Sequence, residues 1–222
     1  MTTAIIAAAG KSERMGSGVD KAFLPLCNKP VLAWSLLAFE RSPDIDAIVL
    51  VVRKDQIVAA QALAKMFGIA KLKSIVPGGK TRSESVQVGL AECDIDTKTV
   101  VVHDGARPLV SRKTIAAVVA AAQKGPVAAG VRVTDALKRV DNKGMAISSS
   151  VDRDRVWAVQ TPQAFPVEVL REAYKKAGKA DFADDCEVLE KAGVQARVVE
   201  CTDPNFKITT AADLQLAAYF LK

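Results

Sequence analysis

Thr3-Ala4-Ile5-Ile6-Ala7-Ala8-Ala9-Gly10-Lys11-Ser12-Glu13-Arg14-Met15-Gly16, with Lys21 close behind, decides the fold. The apolar run Thr3–Ala7 reads as a buried strand, and it ends in a turn of small residues that carries fixed cations. Backbone N–H groups in such a turn point at an anion, and Arg and Lys add charge, so the pattern suits phosphate. Two familiar phosphate loops are excluded by position. The first glycine of G-x-x-x-x-G-K-[ST] would fall on Ile5, and G-x-G-x-x-G fails at Ser12. On this segment alone, a surface turn with scattered cations is the plainer alternative.

Outward from that strand the apolar pattern alternates. Pro30 suits the first helical position, and Val31–Glu40 follows with an apolar face. Ala47–Val52 is a fully apolar strand, and Lys54–Phe67 reads as a helix stopped by Gly68. Leu72–Val76 is a third strand leading into Pro77-Gly78-Gly79, and Ser83–Cys93 a helix. Thr99–His103 is a fourth strand ending at Asp104, Arg112–Lys124 an alanine-rich helix, and Val127–Val131 a fifth strand. Continuous apolar strands separated by helices predict an α/β fold, a Rossmann-like and mostly parallel sheet covered by helices on both faces. Ligands of such sheets bind at the carboxyl ends of the strands. The Gly10 loop, the Gly78-Gly79 loop and Asp104 all fall there.

The alternation breaks at Thr134. Up to Trp157 the chain is polar and rich in turns, and Asn142 to Gly144 reads as a hairpin turn. A strand over Trp157–Thr161, helices over Val167–Ala177 and Asp184–Ala192, a strand over Gln195–Glu200 and a helix from Thr210 complete the pattern. The expected organisation is a single domain over 1–222, from which residues 134–156 project as a hairpin arm.

Composition sets bounds. Half of the 222 residues are apolar, and 31 Lys and Arg against 25 Asp and Glu leave a net charge of +6, which suits anionic substrates. No run of like charge is interleaved with aromatics, so no nucleic acid is expected as partner. Cys27, Cys93, Cys186 and Cys201 form no C-x-x-C, and one His stands beside them, which argues against zinc. Scattered cysteines fit a reducing cytoplasm. The N-terminus enters a strand directly and no apolar run is long enough to span a bilayer, so neither a targeting segment nor a membrane is expected.

Several residues invite chemistry. Asp104, after an apolar strand and beside small residues, can ligand a magnesium ion on triphosphate oxygens; a turn cap is its bland alternative. Lys21 and Arg14 would face polyphosphate. Lys207 sits in the apolar context Asn205-Phe206-Lys207-Ile208-Thr209, which points it inward unless it snorkels at an edge. Gly78 and Gly79 permit close backbone approach to a flat ligand, while Thr81 or Ser83 would cap the helix that follows. His103 is read as structural, and Arg153 alone as an ordinary surface arginine.

In order, Ala-Ala-Gly-x-x-x-Arg-Met, Lys-x-Phe-Leu, Gly-Gly-x-x-Arg-x-x-Ser-Val, His-Asp-x-Ala-Arg-Pro, Val-Asp-Arg, Gln-Thr-Pro-Gln and Phe-Lys-Ile-Thr run through the chain. This series resembles the 2-C-methyl-D-erythritol 4-phosphate cytidylyltransferases of the non-mevalonate isoprenoid pathway. The resemblance implies transfer of a cytidylyl group from CTP to a polyol phosphate with Mg2+. It places Ala8, Ala9, Gly10, Gly79 and Ser85 at the nucleotide and Arg14 and Lys21 on the triphosphate, and it makes Arg14, Lys21, Arg153 and Lys207 the catalytic cations. Asp104, Arg107, Thr161, Lys207 and Arg153 would hold the acceptor, with Asp104 also serving the metal and Arg153 and Lys207 aiming the acceptor phosphate. It further implies a homodimer whose hairpin arms interlock, so that Arg153 reaches the neighbour's site. Two departures stand out. The family often carries Thr where this arm has Ala136, and Thr134, two residues earlier, would point the same way on a strand. Ala183-Asp184-Asp185-Cys186 replaces a Thr-Asp-Asp-Ala pattern. A ribitol 5-phosphate acceptor and a non-catalytic nucleotide-binding module are the alternatives.

Chemically the resemblance and the residues agree. A phosphate monoester with a second pKa of about 6 is already a nucleophile at neutral pH. Positioning and charge then suffice, and a site rich in Lys and Arg but poor in His follows.

Overall fold

The structure is a computed structural model that describes residues 1–10, 20–147, 151–178 and 180–221. Its centre is a seven-stranded sheet. In chain order the strands are β1 (Thr2–Ala8), β4 (Ala47–Val52), β5 (Leu72–Pro77), β6 (Thr99–Asp104), β7 (Val127–Arg132), β8 (Trp157–Pro166) and β9 (Arg197–Glu200). Two short strands, β2 (Pro25–Leu26) and β3 (Lys29–Pro30), pair separately. The helices are α1 (Val31–Glu40), α2 (Ile57–Met66), α3 (Arg82–Ala91), α4 (Arg112–Ala122), α5 (Val167–Ala177), α6 (Asp185–Lys191) and α7 (Ala211–Phe220).

The sheet order is β5-β4-β1-β6-β8-β7-β9. β1 pairs in parallel with β4 and β6, and β8 runs antiparallel to both β6 and β7. The strand residues alternate between two cores. Ala4, Ile6, Ile48, Leu50 and Val52 face Leu36 of α1, Leu63 of α2 and Ile115 of α4. Ile5, Val49, Val51 and Val102 face Val86 of α3, Leu170 of α5 and Leu189 of α6. This explains why β1 and β4 lack polar alternation: both faces are covered, and each buried Ile, Leu or Val stabilises the fold by about 1.5–3 kcal/mol. Gly89 lets α3 lie close to β1, since a Cβ there would meet Ile5 Cγ2 at 2.5 Å.

Some boundaries differ from the sequence reading. Helix α1 begins at Val31, with Pro30 as its N-cap, because Pro30 closes the β2–β3 pair. Residues 54–56 form a short 3-10 turn before α2. The strand read over Trp157–Thr161 continues to Pro166, and Phe206 to Thr209 are not a strand but a loop joined to the body by Ile208 N–H donating to the Ala106 carbonyl. The arm is a thin hairpin with a bridge between Val140 and Ala146. Asp141 Oδ1 accepts the N–H groups of Lys143 and Met145, and Gly144 supplies φ +80°. Among the described residues no helix is long and apolar enough to cross a membrane.

Candidate active site

A cavity of about 830 Å³ opens at the carboxyl ends of β1, β4, β5 and β6. Ala8, Ala9, Gly10, Lys21, Gly79, Ser85, Asp104 and Lys207 line it, so residues read separately from the sequence converge on one site. Arg14 lies outside the described residues. Arg53 and Lys54, from the end of β4, add cations that the sequence reading did not single out.

One wall is built by the turn after β5. Thr81 caps α3 by accepting the Glu84 N–H at 3.1 Å. Ser85 Oγ donates to the Thr81 carbonyl at 2.8 Å and accepts the Gly79 N–H at 3.2 Å, which holds the glycine turn against the first turn of the helix. A Cβ on Gly78 would crowd the Ala9 side chain and meet Ser85 Oγ at 2.8 Å. The glycine therefore lets two loops approach each other, and the narrowness of the wall follows from protein packing. The capping and ligand-approach readings of this segment are compatible.

The floor is ionic. Asp104 ends β6 and is 6 % exposed. Lys207 Nζ lies 3.0 Å from its Oδ2, Arg107 Nε 3.3 Å from the same oxygen, and Arg82 Nε 3.4 Å from Oδ1. Burial by itself would raise the carboxyl pKa. Lys207, Arg82 and Arg107 outweigh it and hold the group well below the ordinary 3.8, so Asp104 is a fixed anion. Burial pulls Arg107 below its usual range, with Asp104 opposing. Lys207 points inward from its loop, as its apolar context implied.

Behind the floor, Thr161 Oγ1 accepts the Asp104 N–H at 3.0 Å and meets His103 Nδ1 at 3.1 Å, while His103 Nε2 lies 3.3 Å from the Arg107 carbonyl. Both imidazole nitrogens are engaged, and burial lowers the pKa to about 3. His103 is a neutral buttress with no capacity to act as a base, and the Thr161 hydroxyl sits among these buried groups. Arg107 Nη1 also donates to the Asn205 carbonyl at 2.9 Å, tying β6 to the loop that carries Lys207.

Arg153 and Thr134 are not part of the cavity. Arg153 Nη1 donates to the Thr134 carbonyl at 2.6 Å at the base of the arm, on the exposed surface. Residues 134–136 are not a strand, so the alternation that would align Thr134 with Ala136 is missing. Arg82 is the residue the sequence reading passed over. It opens α3 inside a quoted motif, and its Nη2 lies 2.8 Å from Asp185 Oδ2. No local signal marks it, because its partners come from distant parts of the chain.

Among the described residues no group of three or more His, Cys, Asp or Glu could hold a metal alone. Asp104 is one carboxylate with about four acceptor positions, of which its cations take three. That fits an ion content with one carboxylate beside phosphate oxygens and water, the habit of Mg2+.

A strand-end cavity lined by cations around a buried Asp, with a neutral, engaged His behind it, suits a nucleotidyltransferase. The chain belongs to the 2-C-methyl-D-erythritol 4-phosphate cytidylyltransferase family, whose profile matches residues 2–222. Its relatives include the enzyme of that name from Desulforamulus reducens, 41% identical with 99% of this chain and 95% of the relative covered. The one from Syntrophus aciditrophicus is 40% identical with the same coverage. Among solved structures, 4-diphosphocytidyl-2C-methyl-D-erythritol synthase from Anaerococcus prevotii superposes with a TM-score of 0.86 at 29% identity, covering 99% of this chain and 95% of that one.

Proposed function

We propose that this cytidylyltransferase joins CTP to 2-C-methyl-D-erythritol 4-phosphate, giving 4-diphosphocytidyl-2-C-methyl-D-erythritol and pyrophosphate. The observation that carries the reading is the Asp104–Lys207–Arg82 cluster lining a cavity at the strand ends, with Arg107 on the same carboxylate. An oxygen of the acceptor phosphate attacks the α-phosphorus of CTP in line, a P–O bond forms, and the bond to the β-phosphate breaks. The nucleophile is ionised at neutral pH, so no side-chain base takes a proton. The residues contribute position and charge. Ala8, Ala9, Gly10, Gly79 and Ser85 seat the nucleotide, and Lys21 with Arg14 meets the triphosphate. Lys207, with Arg153 of the partner subunit, aims the acceptor phosphate, Arg107 helps hold the acceptor, and Thr161 and His103 keep Asp104 in place. Asp104 would hold Mg2+ together with triphosphate oxygens, and the ion supplies neutralisation of the charge gathering on the phosphates.

The assembly we propose is a homodimer through the arm of residues 134–156, with Arg153 serving the partner's cavity. Two observations support it: Arg153 lies outside its own cavity, and Val140, Met145 and Ile147 on the arm are 53%, 66% and 62% exposed. Neither nucleic acid nor a membrane is needed as partner. We place the reaction in the cytoplasm, in keeping with four free cysteines.

The test is pyrophosphate release with magnesium, CTP and methylerythritol 4-phosphate, repeated with ribitol 5-phosphate and with ATP, GTP and UTP. Release confined to the first pair is expected. Turnover with ribitol phosphate alone would move the enzyme to another acceptor, and silence with every pair in a folded sample that binds CTP would overturn the transfer.

A further inference from the structure

We infer that Asp185, fixed by Tyr174, aims Arg82 at Asp104, making Arg82 and Asp185 positioning residues of the acceptor end of the site. The inference rests on the transfer proposed above. Asp185 opens α6 and is 0 % exposed. The Tyr174 hydroxyl donates to its Oδ1 at 2.6 Å, and the Asp185 N–H donates to Gln163 Oε1 at 3.1 Å, so the carboxylate is held from α5 and the backbone from β8. Its other oxygen, Oδ2, faces Arg82 Nη2 at 2.8 Å. The guanidinium spans the gap to Asp104, where Nε meets Oδ1.

Three features make this more than structural filling. First, Arg82 lines the cavity, and its buried Nη1 has no hydrogen-bond partner. A buried guanidinium nitrogen without a partner costs stability. Second, Nη2 and Asp185 Oδ2 form a buried ion pair at 2.8 Å, which sets where the guanidinium lies. Third, Lys207 and Arg107 hold one oxygen of Asp104 and Arg82 the other. With Arg82 displaced, the carboxylate is free to rotate, and Lys207 and Arg107, bound to its other oxygen, shift with it. The two carboxylates against three cations leave a surplus of one positive charge, of the sign that attracts an incoming phosphate. Ser83 Oγ accepts the Phe182 N–H at 3.2 Å beside this chain and fastens the start of α3 to the same segment.

The experiment compares the parent, Asp185→Asn, Tyr174→Phe and the double variant Arg82→Gln/Asp185→Asn. Arg82→Gln alone would strand a buried carboxylate and unfold, whereas the double variant removes both charges. Each is read by steady-state pyrophosphate release and by calorimetric titration with CTP and, separately, with methylerythritol 4-phosphate. Asp185→Asn is expected to lower kcat and weaken the acceptor by about tenfold each, with CTP affinity within about twofold. Tyr174→Phe is expected to shift the same quantities by about threefold. The double variant is expected to lose at least as much as Asp185→Asn, because it also removes the guanidinium that holds Asp104 Oδ1. A folded Asp185→Asn enzyme with kcat and acceptor affinity within about twofold of the parent would overturn the inference. Equal losses of CTP and acceptor affinity, or a double variant closer to the parent than Asp185→Asn, would do the same. A silent parent speaks against the transfer itself, and the acceptor titrations then still decide the positioning.

Discussion

Lys207 is the cation nearest Asp104, held there by a loop that has no regular structure. Replacing it with Ala removes a charge from the reaction centre, and turnover is expected to fall by about 10²–10³. Thermal unfolding should show the fold retained, since the side chain is one-third exposed. Activity within about threefold of the parent would contradict its role. The pH profile separates the substrate from His103. With its pKa at about 3, the imidazole stays neutral across the working range, whereas a phosphate monoester ionises near about 6. We expect kcat/KM to rise through one ionisation at that pH and the midpoint to stay in place in His103→Asn, even if that variant is less stable. A displaced midpoint would show the imidazole taking part. Residues at strand ends, such as Asp104 and Gly79, announced themselves in the sequence through the strands before them. Arg82 and the buried hydroxyl of Thr161 did not, because what defines them is a partner brought near by folding.

At the level of elements, legibility followed burial. Ala47–Val52 is apolar throughout and proved buried on both faces, and Ile5 and Ile6 serve opposite cores. β8 was read short because Pro162 interrupts it and Gln163 is a polar residue in a buried strand. Gln163 is satisfied there: its Nε2 donates to Asp184 Oδ2 at 3.1 Å and its Oε1 accepts from Asp185 N–H. The β2–β3 pair was missed since Cys27, with φ +55°, is not a residue that signals a turn. Helix α7 shows the opposite case, a start written in local chemistry. Thr210 Oγ1 accepts the Asp213 N–H, and Asp213 Oδ2 accepts the N–H groups of Thr209 and Thr210 at 2.8 Å. Desolvation would raise the Asp213 pKa, but these donors lower it to about 2 from 3.8. The folded value lies below the unfolded one, so this stability is present above 3.8 and is lost as pH falls toward 2. Asp213→Asn is expected to cost about 1 kcal/mol in urea unfolding at pH 7, and the difference from the parent should shrink below pH 4. A gap independent of pH would mean that the carboxylate charge is not what caps the helix.

For the whole molecule, the position of Arg153 sets the question. It leaves the site through the arm, bonded to Thr134, while Lys21 lines the cavity of its own chain. If the arm exchanges between two copies related by a two-fold axis, each complete site draws Lys21 from one chain and Arg153 from the other. Lys21→Ala and Arg153→Ala homodimers should then both be nearly inactive. Unfolded together and refolded as an equal mixture, the two variants would form mixed dimers in half of the population. Each mixed dimer carries one intact site, made by Lys21 of the Arg153→Ala chain and Arg153 of the Lys21→Ala chain. Recovery of roughly a quarter of parent turnover is the expected result. If Arg153 acted within its own chain, both sites of the mixed dimer would stay broken and mixing would restore nothing. Charged substitution of Met145 and Ile147, exposed on the arm, should in parallel shift sedimentation toward monomer and abolish turnover. A monomer that kept full activity would remove the need for a partner, and with it the account of why the arm projects at all.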